Sequence, residues 1–167
     1  MTDENQAQQP RRSFLFDTSI SMRRYVLRMG LISLLPSMAV GIALATTGVV
    51  NEQTGPGFEG PVLVVLAFIW VIGPVLETLL MSFILWVLSF FTKRMVLLAV
   101  MSALIWAGLH SLAAPAWGLV VFWPFFIFSC SYLAWRQKAW WRAVWVTCCV
   151  HMFQNFLPGI VIAVAAL

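Results

Sequence analysis

Four polar side chains in otherwise apolar stretches are the residues of this sequence that could do chemistry. Glu77 is the only ionisable residue within residues 61–91, and His110, His151 and Asn155 lie in two later apolar stretches. A charged residue at the centre of a membrane span is unfavourable by about 2.5–3.5 kcal/mol on insertion scales. No lysine or arginine lies deep in an apolar stretch, so the histidines are the candidate partners of Glu77. We therefore expect the four side chains to converge.

A glutamate beside two histidines and an asparagine suits hydrolysis of an amide bond. Glu77 can act as general base on a water molecule. His110 and His151 can protonate the substrate or bind a metal ion such as zinc, and Asn155 or a histidine can donate to the developing oxyanion. The sequence has no HExxH motif, so metal ligands would come from separate helices. A hydrogen bond between helices is the structural alternative for each histidine and for Asn155.

The composition is that of an integral membrane protein. Of the 167 residues, 62% are hydrophobic and only 10% are charged, whereas about a quarter of an average soluble domain is charged. Nine tryptophans and thirteen phenylalanines fit aromatic belts at both membrane interfaces. The three cysteines lie in apolar stretches without metal-binding or disulfide spacing.

Hydrophobic stretches and loop signals predict an all-α, polytopic membrane helical bundle. A polar cytoplasmic tail, residues 1–22, precedes a transmembrane domain, residues 23–167, and we expect the tail to be disordered up to about Ser21. About five spans are predicted, at approximately residues 25–50, 61–91, 95–113, 117–133 and 143–166.

The second predicted span is too long for a straight transmembrane helix. Its 31 residues would extend about 46 Å at about 1.5 Å per residue, beyond a hydrocarbon core of roughly 30 Å. Gly73 and Pro74 are the expected site of a break or kink, since proline lacks a backbone donor. A break there would place Glu77 in the first turn of a second half-helix, where the helix dipole favours a carboxylate.

Residues at four-residue spacing mark the faces where helices should pack. Ser33, Ser37 and Gly41 form a small-residue stripe on the first span. Two further faces each carry candidate site residues. The face on the third span consists of Ser102, Trp106 and His110, and the face on the last span consists of Thr147, His151 and Asn155.

The ten basic residues predict the orientation in the membrane. With five spans, all of them fall on one side, at or before the start of the first span or in the loops after the second and fourth. By the positive-inside rule the N-terminus is cytoplasmic and the C-terminus is outside. This topology explains the net charge of +4, and we expect no nucleic-acid partner.

The order of these motifs resembles the CPBP family of intramembrane proteases, which includes type II CAAX prenyl endopeptidases and bacterial Abi proteins. That family carries EExxxR on a helix after a bend, then FxxxH, then HxxxN. Glu77 matches the first glutamate, Trp106 and His110 match the second motif, and His151 and Asn155 match the third. The resemblance covers about residues 61–160.

Three positions depart from the family pattern. Thr78 stands in place of the second glutamate and Ser82 in place of the arginine, and Trp106 replaces the phenylalanine. The first two changes remove a proton relay and a cation that could orient the carboxylate.

The resemblance implies an endopeptidase of the bacterial inner (cell) membrane that cuts membrane-associated peptides or proteins, CAAX-like or other. Membrane lipid and a peptide or protein substrate would be its partners, and His110 and His151 could bind zinc. A catalytically impaired relative acting as a membrane binding or immunity protein is the alternative, and a proton- or solute-conducting bundle is a weaker one.

Overall fold

Six α-helices make up most of the chain in this computed structural model, which describes residues 13–51, 54–57 and 59–165. A 3₁₀ turn, Phe14–Phe16, precedes the first helix, and a π-helical turn, Phe68–Ile72, joins the second to the third. The helices are α1 (Met22–Thr46), α2 (Val62–Ala67), α3 (Gly73–Leu88), α4 (Met95–Ala113), α5 (Trp117–Arg136) and α6 (Trp140–Ala165). The described ranges contain no strand, so the predicted all-α bundle is confirmed.

Five helical segments are long and apolar enough to cross a membrane, with α2, the π-helical turn and α3 forming one of them. Their outer surfaces are apolar, with side chains such as Leu63, Phe91 and Leu112 between 77% and 85% exposed. Such surfaces suit lipid tails rather than water. The chain is therefore an integral membrane protein, as predicted.

The α5 helix lies at the centre of the bundle. In its most apolar stretch 61% of residues are buried, against 39% or less in the other spans. Small side chains allow this close packing, and the hydroxyl of Ser129 lies 3.0 Å from that of Ser102 on α4. The central helix therefore forms a wall against which the candidate site residues on α4 and α6 are held.

The second span does not break at Gly73 and Pro74 but changes locally from α-helical to π-helical hydrogen bonding. The N–H of Gly73 donates to the carbonyl of Phe68, five residues back, and the helix continues through Pro74. Glu77 is therefore the fifth residue of α3, outside its first turn. The prediction that a break places Glu77 in the first turn of a second half-helix is wrong, because a π-helical turn accommodates the missing N–H of Pro74 and the span continues without a break.

The segment before α1 packs on the bundle. Phe16 and Thr18 are buried, the Tyr25 hydroxyl donates to the Leu15 carbonyl at 2.6 Å, and the Lys138 ammonium donates to the Thr18 carbonyl at 2.5 Å. The prediction of disorder up to about Ser21 is wrong for residues 13–21, because backbone carbonyls of this segment accept from side chains of α1 and the α5–α6 loop. Residues 1–12 lie outside the described part of the chain.

Candidate functional site

All four predicted site residues line one cavity of about 890 Å³. Glu77 enters it from α3, His110 from the last turn of α4, and His151 and Asn155 from successive turns of α6. The rest of the wall is mainly apolar and comes from α1, the α1–α2 loop, α2, α5 and α6. The four side chains therefore line the same cavity, as expected if an isolated carboxylate requires polar partners.

Glu77 and His151 form the polar centre of the cavity. The carboxylate Oε2 lies 3.4 Å from Nε2 of His151, and the Glu77 side chain is 31% exposed while that of His151 is 4% exposed. His151 is thus fixed in the bundle, whereas Glu77 projects into the cavity. A water molecule could contact the carboxylate from the open side while His151 holds it from the other.

Two aromatic residues of α5 hold the His151 ring. Phe128 stacks on it with ring centroids 4.3 Å apart, and Phe125 meets it edge-on at 5.6 Å. Both phenylalanines are buried, with 1% and 3% exposure. Sequence analysis did not identify them as site residues, because phenylalanines three apart on an apolar helix look the same whether they pack against lipid or against histidine.

His110 is oriented by its own helix. Its Nδ1 lies 2.9 Å from the carbonyl oxygen of Trp106. A carbonyl can only accept, so Nδ1 carries a proton and donates it. Nε2 of a neutral His110 is then unprotonated and can accept a proton or bind a metal ion. The ring also meets Trp117 edge-on at 4.9 Å and Phe125 at 5.2 Å.

Asn155 contacts the π-helical turn. Its Nδ2 donates to the carbonyl oxygen of Ile69 at 3.0 Å. Beside it, the indole N–H of Trp70 donates to the Phe156 carbonyl at 3.2 Å. The two bonds join α6 to the turn that precedes Glu77. One amide N–H of Asn155 is therefore engaged, which leaves its second N–H for the predicted oxyanion role.

A buried hydrogen-bond network ties α6 to α1 at the edge of the cavity. Gln154 accepts from the Ser33 hydroxyl at 2.7 Å and donates to the Ser37 hydroxyl at 2.7 Å. The small-residue stripe of the first span is thus a helix-packing face, as predicted. Gln154 itself was missed, although it lies directly before Asn155 and carries the same amide group.

Thr78 and Ser82, which depart from the family's first motif, lie away from the cavity. Thr78 is 1% exposed inside the bundle, and the Ser82 hydroxyl donates to the Leu79 carbonyl of its own helix at 2.7 Å. Neither belongs to the described lining of the cavity. The substitutions therefore leave the groups around Glu77 in place.

A catalytic zinc site usually has three protein ligands. Within residues 13–51, 54–57 and 59–165, no three His, Cys, Asp or Glu side chains are grouped to hold a metal ion. Cys148, a further potential metal ligand, has its Sγ 3.9 Å from the Pro74 carbonyl. The described donors thus form no three-ligand set for zinc, and zinc binding by His110 and His151 stays a prediction.

The chain matches no family model, no curated protein and no solved structure.

Proposed function

We propose that this protein is an intramembrane endopeptidase in which Glu77 activates a water molecule to hydrolyse a peptide bond. The observation that carries the proposal is the pair of Glu77 and His151, 3.4 Å apart, at the wall of a cavity that His110 and Asn155 also line. This set combines a base, a proton donor and a second imidazole in one cavity. The motif order shared with the CPBP family supports the same conclusion.

Each of these side chains has its own role in the proposed reaction. Glu77 takes a proton from water as the water oxygen attacks the carbonyl carbon of the peptide. The resulting oxyanion accepts hydrogen bonds, for which the second amide N–H of Asn155 is a candidate donor. Collapse of the tetrahedral intermediate breaks the C–N bond, and the proton held by Glu77 passes to the leaving amine directly or through Nε2 of His110. The products are a carboxylic acid and an amine.

The cavity extends to the loop between α1 and α2, in which the sequence has no lysine or arginine. Thr54, Gly55 and Glu59 of the loop between α1 and α2 contribute to its lining, whereas the basic residues lie at the opposite helix ends. By the positive-inside rule, a substrate would reach Glu77 from the non-cytoplasmic face of the cell membrane. An impermeant maleimide should then label Thr54→Cys from outside intact cells and should not label Gln137→Cys; the reverse pattern would overturn this orientation.

Cleavage can be tested before any substrate is identified. Membranes from cells that express the wild-type protein or Glu77→Gln are compared by mass spectrometry of newly formed protein N-termini. We expect termini that depend on Glu77 and also disappear in His151→Ala. Their absence, with the proteins present in equal amounts, would refute proteolysis.

A binding protein that keeps the cavity without turnover is the second candidate. It is favoured by the engagement of Asn155 with Ile69, and it would account for the loss of the glutamate and arginine that the resembling family carries at positions 78 and 82. A cellular phenotype that survives Glu77→Gln combined with His151→Ala would support it. Loss of the phenotype in either single variant would favour the enzyme.

A further inference from the structure

The carbonyl of Ile69 has no backbone donor. In an α-helix it would accept from the N–H of Gly73, but that N–H donates to Phe68. In the π-helical register the next donor would be residue 74, which is proline and has no N–H. An unpaired carbonyl in a membrane bundle is strongly unfavourable. The amide of Asn155, 3.0 Å away, takes the place of the missing donor.

We propose that Asn155 is a positioning residue, which replaces the N–H that Pro74 lacks and so fixes the π-helical turn that sets Glu77 against His151. This role rests on the proposed site but differs from oxyanion donation. Asn155 and His151 lie one turn apart on α6, and Ile69 and Glu77 lie in one continuous span. The bond therefore couples the two elements that carry the reacting pair.

Two glycines make the coupling sterically feasible. A Cβ on Gly73 would lie 2.8 Å from the Phe68 carbonyl oxygen, inside the tight turn. A Cβ on Gly159 would overlap the indole of Trp70, which donates from the turn back to α6. Gly73 thus allows the tight turn itself, and Gly159 allows the close approach of α6 to the turn.

A comparable arrangement, in the α-helical instead of the π-helical register, occurs at a second proline. Pro36 lies inside α1 and leaves the carbonyl of Ile32, four residues earlier, without its helical donor. The indole N–H of Trp123 on α5 donates to that carbonyl at 2.7 Å. This second pair of proline and donor lies outside the site, so it serves as a matched control.

The experiment uses the reaction of Glu77 with dicyclohexylcarbodiimide, an apolar reagent for carboxyl groups in membranes. The full-length protein is reconstituted in phospholipid vesicles, and labelling of the peptide that contains Glu77 is followed by mass spectrometry. Asn155→Leu keeps the side-chain volume but has no donor. Loss of one hydrogen bond of ordinary strength corresponds to roughly a fivefold change in an equilibrium constant, so we expect labelling to accelerate about fivefold.

Pro74→Ala supplies the missing backbone N–H. In the Asn155→Leu background it should return the labelling rate to within about twofold of the wild type, because residue 74 then donates to Ile69. Pro36→Ala in the same background should leave the rate raised. In the control pair, Trp123→Phe should lower thermal stability, and Pro36→Ala should restore it, without change in Glu77 labelling.

Unchanged labelling in Asn155→Leu, or equal rescue by Pro74→Ala and Pro36→Ala, would overturn the proposal. If Asn155→Leu does not accumulate, recovery of folded protein by Pro74→Ala and not by Pro36→Ala is the supporting result, and absence of that recovery refutes it. None of these readouts measures cleavage, so failure of the positioning role can be told apart from failure of the proposed function.

Discussion

The hydrogen bonds of Gln154 give the most quantitative test of how α6 is held beside the cavity. Its amide makes two bonds of 2.7 Å to the hydroxyls of Ser33 and Ser37, and all three residues are at most 7% exposed. Hydrogen bonds between membrane helices average about 0.6 kcal/mol and reach about 1.7 kcal/mol. Gln154→Leu removes both, so we expect the free energy of unfolding to fall by about 1–3 kcal/mol.

The measurement is reversible unfolding by sodium dodecyl sulfate in mixed micelles, followed by circular dichroism. Gln137→Leu is the control, since Gln137 is exposed and its amide donates to the Met95 sulfur at 3.3 Å. A surface change of this kind should alter stability by no more than about 0.5 kcal/mol. Equal stability of Gln154→Leu and the wild type would refute the bridging role of Gln154.

A mutant cycle separates the bonds from the packing. Replacing Ser33 and Ser37 together by alanine leaves the buried amide of Gln154 without its two partners. Adding Gln154→Leu removes that unpaired group, so the triple variant should be less destabilised than the sum of the separate changes. Strict additivity would show that the three side chains contribute independently, contrary to the structure.

Three further variants test other contacts. Gly118→Ala should destabilise the protein by about 1–3 kcal/mol, because the added Cβ would overlap the Ala107 carbonyl. Gly108→Ala is the control: its Cβ would meet nothing within 4 Å, so it should not lower stability in the same denaturation assay. Phe128→Leu removes the ring stacked on His151 and should lower the free energy of unfolding by about 1 kcal/mol. It should also reduce Glu77-dependent cleavage by more than the decrease in folded protein accounts for. Unchanged cleavage would contradict the role of Phe128 in holding the His151 ring. Tyr25→Phe should lower stability by about 1 kcal/mol, since the hydroxyl bond to the segment before α1 is lost. An increase in chymotrypsin cleavage at Phe14 to Phe16 would report release of the segment.

The spans were predictable from the sequence because hydropathy and helix length leave few alternatives in a membrane. The third span matches its predicted bounds, residues 95–113, and the fourth extends to Arg136 rather than 133. The convergence of Glu77 with His110, His151 and Asn155 was also predictable, because an isolated carboxylate is unfavourable among apolar helices.

The arrangement around Pro74 was not predictable in the same way. Proline signals that a backbone donor is missing, but a break, a kink and a π-helical turn all accommodate that loss. Which one forms depends on Asn155, which is 86 residues away from Ile69 in the chain. The packing of residues 13–21 was not predictable for the same reason, since it depends on a distant partner. The carbonyl of Thr18 accepts from Lys138, 120 residues later. Long-range hydrogen bonds leave no periodic signal in the sequence.

The central claim is that Glu77 activates water for peptide hydrolysis. The most direct measurement is the rate at which purified protein in phospholipid vesicles cleaves a peptide that spans a Glu77-dependent terminus found in cells. Removing a general base typically lowers the rate by about 10²–10⁴-fold, so we expect Glu77→Gln to lose that much, while Gly108→Ala stays within about twofold of the wild type. Cleavage by Glu77→Gln at the wild-type rate would contradict the claim.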